Sequence, residues 1–306
     1  MKYLFCWKWL ALTTALASTS AVAADFVIPW PPGGETDLLM RPIAPYMAKH
    51  LKQAVRVVNQ PGQFGMTGVQ STAQATADGS TWVVVHDYAF SVEVSGQTAP
   101  NPFKDLVPFC GIVEVPSVLA TNSKAIGARS AKEFLANPGA WKASWTVGPT
   151  STNYMLLALA SQKMNRSLDY KGYRSKEAAI SALLDGEVDL AEVHLNETAS
   201  GANRLVMLGL AAEKRDPLKP DVPTLKELGL DVQFRVVRAL AVPKATPAAK
   251  VAELESACRA AAAEPELGRE LAAMGARAQF TPAAEMARLL ESRRTLFQRV
   301  TGPSRQ

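Results

Sequence analysis

Short apolar runs alternate with longer segments whose apolar residues recur at helical spacing, and this alternation constrains the fold more than any other feature. A run that is apolar throughout must be buried on both faces, and a mostly parallel sheet covered by helices does that. Phe26-Val27-Ile28 reads as a first strand, leading through Pro29-Trp30-Pro31-Pro32-Gly33-Gly34 into a helix that ends near Leu51. Pro42 and Pro45 should kink that helix or delay its start. Further strands are expected at 55–58, 81–85, 117–120, 144–147, 188–191, 205–210 and 239–242, with the segment 168–170 between two helices. Those helices are expected at 153–164 and 176–184, the second closed by Asp185-Gly186 with glycine as a left-handed cap. Another opens in the glycine-rich loop after residue 58 and ends near Ala77. In the tail, Val251, Leu254, Cys258 and Ala261 share one helical face, followed by Leu267, Leu271 and Met274. Gly275 ends that helix, and Thr281-Pro282 has the residue types that start another.

The first 23 residues differ from the rest. Lys2 and Lys8 make a positive start, residues 9–17 are mostly apolar, and Ala21-Val22-Ala23 offers small residues for cleavage, which together read as a secretory signal peptide. The apolar stretch is short of the ~20 residues a membrane span needs. A periplasmic, soluble, monomeric product is expected. Cleavage removes two lysines and no acids, so the formal charge of +5 becomes 5 − 2 = +3. That mild excess, without a dense basic tract, argues against a nucleic-acid partner. Cys110 and Cys258 would remain. Each fits a buried apolar position, and an exported chain can also join them, but spacing does not establish proximity.

Three loops carry candidate chemistry. Trp30, Pro32, Gly33, Gly34 and Asp37 lie at a strand-to-helix turn, where helix N–H groups and the helix dipole favour an anion. Gly148, Thr150, Ser151, Thr152 and Asn153 lie at a second such turn and add hydroxyls and an amide. Either loop equally suits an ordinary βα turn or an N-cap cluster. Asn59-Gln60-Pro61-Gly62 runs on to Gly65 and Gly68. It matches neither the dinucleotide fingerprint nor a phosphate loop, but Gly65 permits close backbone approach. His86 and Asp87 follow a strand at the sheet edge where ligands bind in α/β folds, and Arg238 is suited to a second carboxylate. No zinc, Cys-x-x-Cys or nucleophile-elbow motif is present, and His194 with Glu192 offers no metal set by spacing, so neither cofactor nor metal is expected. The competing reading is an exported α/β hydrolase using Ser151 or His86.

Taken in order, several motifs give the chain a family likeness. Pro32-Gly33-Gly34 with Asp37 and Arg41, Asn59-Gln60-Pro61-Gly62, Asp78-Gly79, Leu168-Asp169-Tyr170-Lys171-Gly172, Gly186-Glu187-Val188-Asp189-Leu190, and Asp221-Val222-Pro223-Thr224 with Glu227 and Gly229 span nearly the whole mature chain. The set resembles the substrate-binding proteins of tripartite tricarboxylate transporters, also called Bug proteins. The resemblance implies a type II periplasmic binding protein fold of α/β class, with two doubly wound lobes joined by two crossovers near residues 121 and 236. Residues 24–121 plus 236–306 would form one lobe and 122–235 the other. It also implies capture of a small carboxylate, without catalysis, by the loops at Gly33-Gly34 and 148–153. The partner would be a tripartite tricarboxylate membrane permease or a sensor domain. The chain departs from the family pattern at four places: Tyr154 in place of a histidine, His86 to Ser91 in place of a serine-rich stretch, Val237-Arg238 in place of an aromatic, and Val193-His194 where an aspartate is usual.

Overall fold

The computed structural model describes residues 23–86, 102–137, 139–146, 151–195 and 205–301. Strand β1 (Ala24–Ile28) lies between β2 (Val55–Asn59) and β3 (Thr81–Val85), parallel to both. Beyond β3 the sheet turns antiparallel, through β9 (Arg235–Pro243) and β4 (Leu106–Asn122) to β10 (Arg277–Pro282). The strand pleat sorts apolar residues onto two helix layers. Phe26, Ile28, Trp82 and Val84 pack with Met47 of the helix Ile43–Leu51, Leu254 of Ala248–Ala262 and Leu271 of Pro265–Ala273. Val27, Val83 and Val85 face the other way, toward Met66 and Val69 of Met66–Ala73. Phe26 stacks on Trp82 with ring centroids 4.6 Å apart.

Strand β4 connects the two lobes. Its 17 residues pair with β9 up to Pro116, then from Ser117 with β7 (Ala191–His194) and, to Asn122, with β8 (Leu205–Leu210). Beyond β7 lies a parallel pair, β5 (Trp141–Thr146) and β6 (Leu168–Tyr173), tied to it by the Ser144 N–H donating to the Leu190 carbonyl at 3.0 Å. Arg235, opposite Pro116 in the register, opens the return strand. The helices Thr152–Met164 and Lys176–Asp185 cover the second lobe.

Several expectations are adjusted. The first helix is two: Glu35–Met40 and Ile43–Leu51, broken at Arg41-Pro42, whereas Pro45 sits in the first turn of the second helix, where no N–H is needed. The helix opened by the glycine-rich loop stops at Ala73, short of Ala77. β7 occupies 191–194 rather than 188–191. β4 reaches well beyond 117–120, with Pro108 and Glu114 inside it and a register shift just after Pro108 that accommodates the missing N–H. Thr281-Pro282 ends strand β10, pairing with Gly111 and Cys110, and the last helix starts only at Ala283. Cys110 on β4 and Cys258 form a disulfide, with Cα atoms 6.6 Å apart.

Candidate functional site

The loop after β1 is held by its own side chains. Asp37 accepts from the Gly33 N–H at 2.9 Å, from Arg41 Nη2 at 2.6 Å and from Asn59 Nδ2 at 2.9 Å. Asn59 also donates to the Trp30 carbonyl at 3.0 Å, and the Gly34 N–H donates to Pro31 at 3.2 Å. The N–H groups of Gly33 and Gly34 are thus spent inside the turn and do not face a ligand, a correction to the anion-cradle reading of those two residues. Asp37 likewise shapes the loop. Burial pushes its carboxyl up, but Arg41, Asn59 and the Gly33 N–H outweigh burial and hold it below the usual carboxylate range. Pro32 stands exposed at the turn.

This scaffold aims two residues at the ends of neighbouring strands. Trp30 stacks on His86, which follows β3, with centroids 4.6 Å apart and planes 24° from parallel. Gly65, at φ +88°, lies under the indole: a Cβ there would stand 3.1 Å from Trp30 Cζ2. Glu35, the first residue of the helix Glu35–Met40, reaches across to the second lobe. Its Oε1 lies 2.8 Å from His194 Nδ1, at the end of β7, and its Oε2 lies 3.1 Å from Arg238 Nη2 on β9. Arg238 is 2% exposed and Glu35 31%. Behind them the fully buried Glu192 carboxylate stands 3.4 Å from His194 Nε2 and 3.4 Å from Lys176 Nζ.

Among the described residues, Glu35 is paired with Arg238 and His194, and Glu192 with Lys176 and His194. Burial raises the Glu35 carboxyl, but His194, Arg238 and Lys176 prevail and leave it well below its ordinary range. His86 is neutral: burial, helped by the Arg238 charge, pulls it from 6.5 to about 3. Arg238 Nε and Nη1 are buried without a hydrogen-bond partner among the described residues. A desolvated guanidinium with unmet donors is costly unless a further acceptor reaches it. No group of His, Cys, Asp and Glu among the described residues is arranged to hold a metal.

At the second loop, Ser151 caps the helix Thr152–Met164 by accepting from the Tyr154 N–H at 3.3 Å, and Asn153 Oδ1 accepts from the Thr146 hydroxyl at 3.2 Å. Both are buried and Thr152 is partly so. Asp87, Gly148 and Thr150 lie outside the described residues. The structure therefore brings Trp30, His86 and Arg238 to one site. It adds Glu35, His194, Glu192 and Lys176, which spacing does not reveal because they come from three separated segments. A signal existed nonetheless: His86, Arg238 and His194 are three of the four departures from the family pattern, and they converge.

The model of the "Tripartite tricarboxylate transporter family receptor" matches residues 39–300. A protein of the tcbD–tcbE intergenic region of a Pseudomonas species is 30% identical over 288 residues, covering 87% of this chain and 84% of its own length. BugT of Bordetella pertussis is 29% identical over 218 residues, 67% of this chain and 65% of that one. Among solved structures, a TctC solute-binding protein from Polaromonas superposes with a TM-score of 0.78 at 24% identity over 91% of this chain and 97% of that one, a likeness of fold. MatC from Rhodopseudomonas palustris, solved with bound malate, gives 0.71 at 26% identity over 91% and 98%. The match from residue 39 to residue 300 takes in both lobes and every strand from β2 to β10, so the chain belongs to the tripartite tricarboxylate transporter receptor family, whose members are substrate-binding receptors and not enzymes.

Proposed function

We propose that the cleft between Glu35, His86, His194 and Arg238 captures one small carboxylate and that the receptor presents it to the membrane component of a tripartite tricarboxylate transporter. The observation that carries the reading is the buried Arg238, whose Nε and Nη1 lack an acceptor and which lies beside two imidazoles where the lobes meet. A carboxylate satisfies a guanidinium fork better than any neutral solute does. The malate held by MatC supports the same ligand class for this chain. We assign residues 24–121 plus 236–306 to one lobe and 122–235 to the other, with Trp30, Gly65, Ser151, Thr152 and Asn153 completing the walls. Receptors of this family are periplasmic, and no described helix is long and apolar enough to cross a membrane. Residues 1–23 direct export and are then cleaved off.

A thermal-shift screen of the mature protein tests the reading, using mono-, di- and tricarboxylates, amino acids and neutral sugars. A true ligand at ~100 times its dissociation constant adds about 2.7 kcal/mol. A carboxylate is expected to give that shift and Arg238→Gln to abolish it. Stabilisation by sugars alone, or a shift that Arg238→Gln leaves intact, would refute the assignment.

A further inference from the structure

The Arg238–His194 station already holds a carboxylate, that of Glu35, and this contact spans the cleft. Glu35 is anchored on the first lobe by its place at the start of the helix Glu35–Met40, and His194 belongs to β7 of the second. Both partners are almost fully buried, at 6% and 2% side-chain exposure, whereas Glu35 is 31% exposed and sits at the rim. Like-charge repulsion sharpens the point. With Glu35 on Arg238 and His194, a second carboxylate entering beside it would set two like charges together in a desolvated site. With Glu35 swung out to water, the entering carboxylate takes its place on Arg238 and His194.

We propose that Glu35 is a resident carboxylate that joins the lobes in the unliganded receptor and is exchanged, one for one, for a carboxylate of the ligand. This rests on the carboxylate-receptor reading and adds the mode of entry and a specificity rule. The ligand must present a carboxylate to Arg238 and His194, and an end group that is neutral or cationic cannot displace Glu35. The exchange makes the receptor's intrinsic affinity stronger than its observed one, because only the fraction of molecules with Glu35 withdrawn is competent to bind. It also makes the closed arrangement partly populated before ligand arrives.

The test uses mature wild-type, Glu35→Ala and Glu35→Gln proteins, with unfolding curves confirming that each folds. Small-angle scattering without ligand is expected to show a larger radius of gyration for Glu35→Ala. Calorimetric titration with malate and adipate is expected to show tighter binding by about tenfold or more for Glu35→Ala, with Glu35→Gln between, since its amide keeps an acceptor but not the charge. Imidazole ¹⁵N spectra should show the His194 resonance of wild type moved by malate and that of Glu35→Ala moved less. Equal affinities in wild type and Glu35→Ala would overturn the exchange and leave the receptor reading standing. Weaker binding in the variant would overturn it too, making Glu35 a direct ligand contact. If no carboxylate bound any of the three proteins, the receptor reading would fall and the exchange with it.

Discussion

Asp37 and His86 show how differently two motif-adjacent residues behave. Asp37 accepts three hydrogen bonds from Gly33, Arg41 and Asn59, and with them fixes the turn that carries Glu35 and Trp30. Asp37→Asn leaves the Arg41 and Gly33 donors facing an amide, and a loss of about 2 kcal/mol is expected in denaturant unfolding. His86 governs a pH dependence instead. In the unfolded chain it takes up a proton near 6.5, whereas in the fold it does so only near 3. Between those values the unfolded state binds more protons, so stability falls as pH falls from 6.5 toward 3. Asp37 and Glu35, whose carboxyls are depressed in the fold, begin to withdraw their contributions once pH falls below their ordinary values of 3.8 and 4.5 and finish as they protonate in the fold. His86→Phe keeps a ring against Trp30 and should flatten the melting-temperature profile between pH 6.5 and 4. An unchanged slope would show that His86 is not the titrating group.

At the level of elements, periodicity served well where burial is one-sided or complete. Leu254, Cys258 and Ala261 on one helix and Leu267 and Leu271 on the next are buried, Val251 and Met274 are partly so, and β3 and β8 begin and end where the apolar runs do. It failed where an element serves two neighbours. β4 hides behind Pro108 and Glu114, and β10 reads as a helix start because Thr-Pro suits both a strand end and an N-cap. The disulfide lay beyond any periodicity, since its cysteines are separated by 148 positions and only the packing of the helix Ala248–Ala262 on β4 joins them. Removing it by Cys110→Ala with Cys258→Ala should cost about 2–4 kcal/mol, read from denaturant midpoints under non-reducing conditions. Gly65→Ala should be destabilising by about 1–2 kcal/mol through its positive φ. Its crowding of Trp30 should also loosen the stack on His86, which indole fluorescence reports.

Across the whole molecule, the family likeness followed from an ordered set of motifs, but those motifs turned out to build loops. Asp37, Arg41 and Asn59 bond to one another, and Gly186 caps a helix with φ +78°. Three of the residues of the proposed site, His86, His194 and Arg238, lie where this chain differs from the pattern, and motif reading named Trp30, His86 and Arg238 but could not assemble Glu35, His194, Glu192 and Lys176. Their meeting depends on β4 passing from one sheet into the other and on β9 returning beside it. The most direct measurement is a crystal structure of the mature protein with the carboxylate that gives the largest thermal shift. The account predicts a ligand carboxylate within hydrogen-bond distance of Arg238 and His194, with Glu35 turned toward solvent. A carboxylate found elsewhere, such as in the groove of about 580 Å³ beside Arg235, Arg277 and Arg293, with Glu35 still on Arg238, would contradict it.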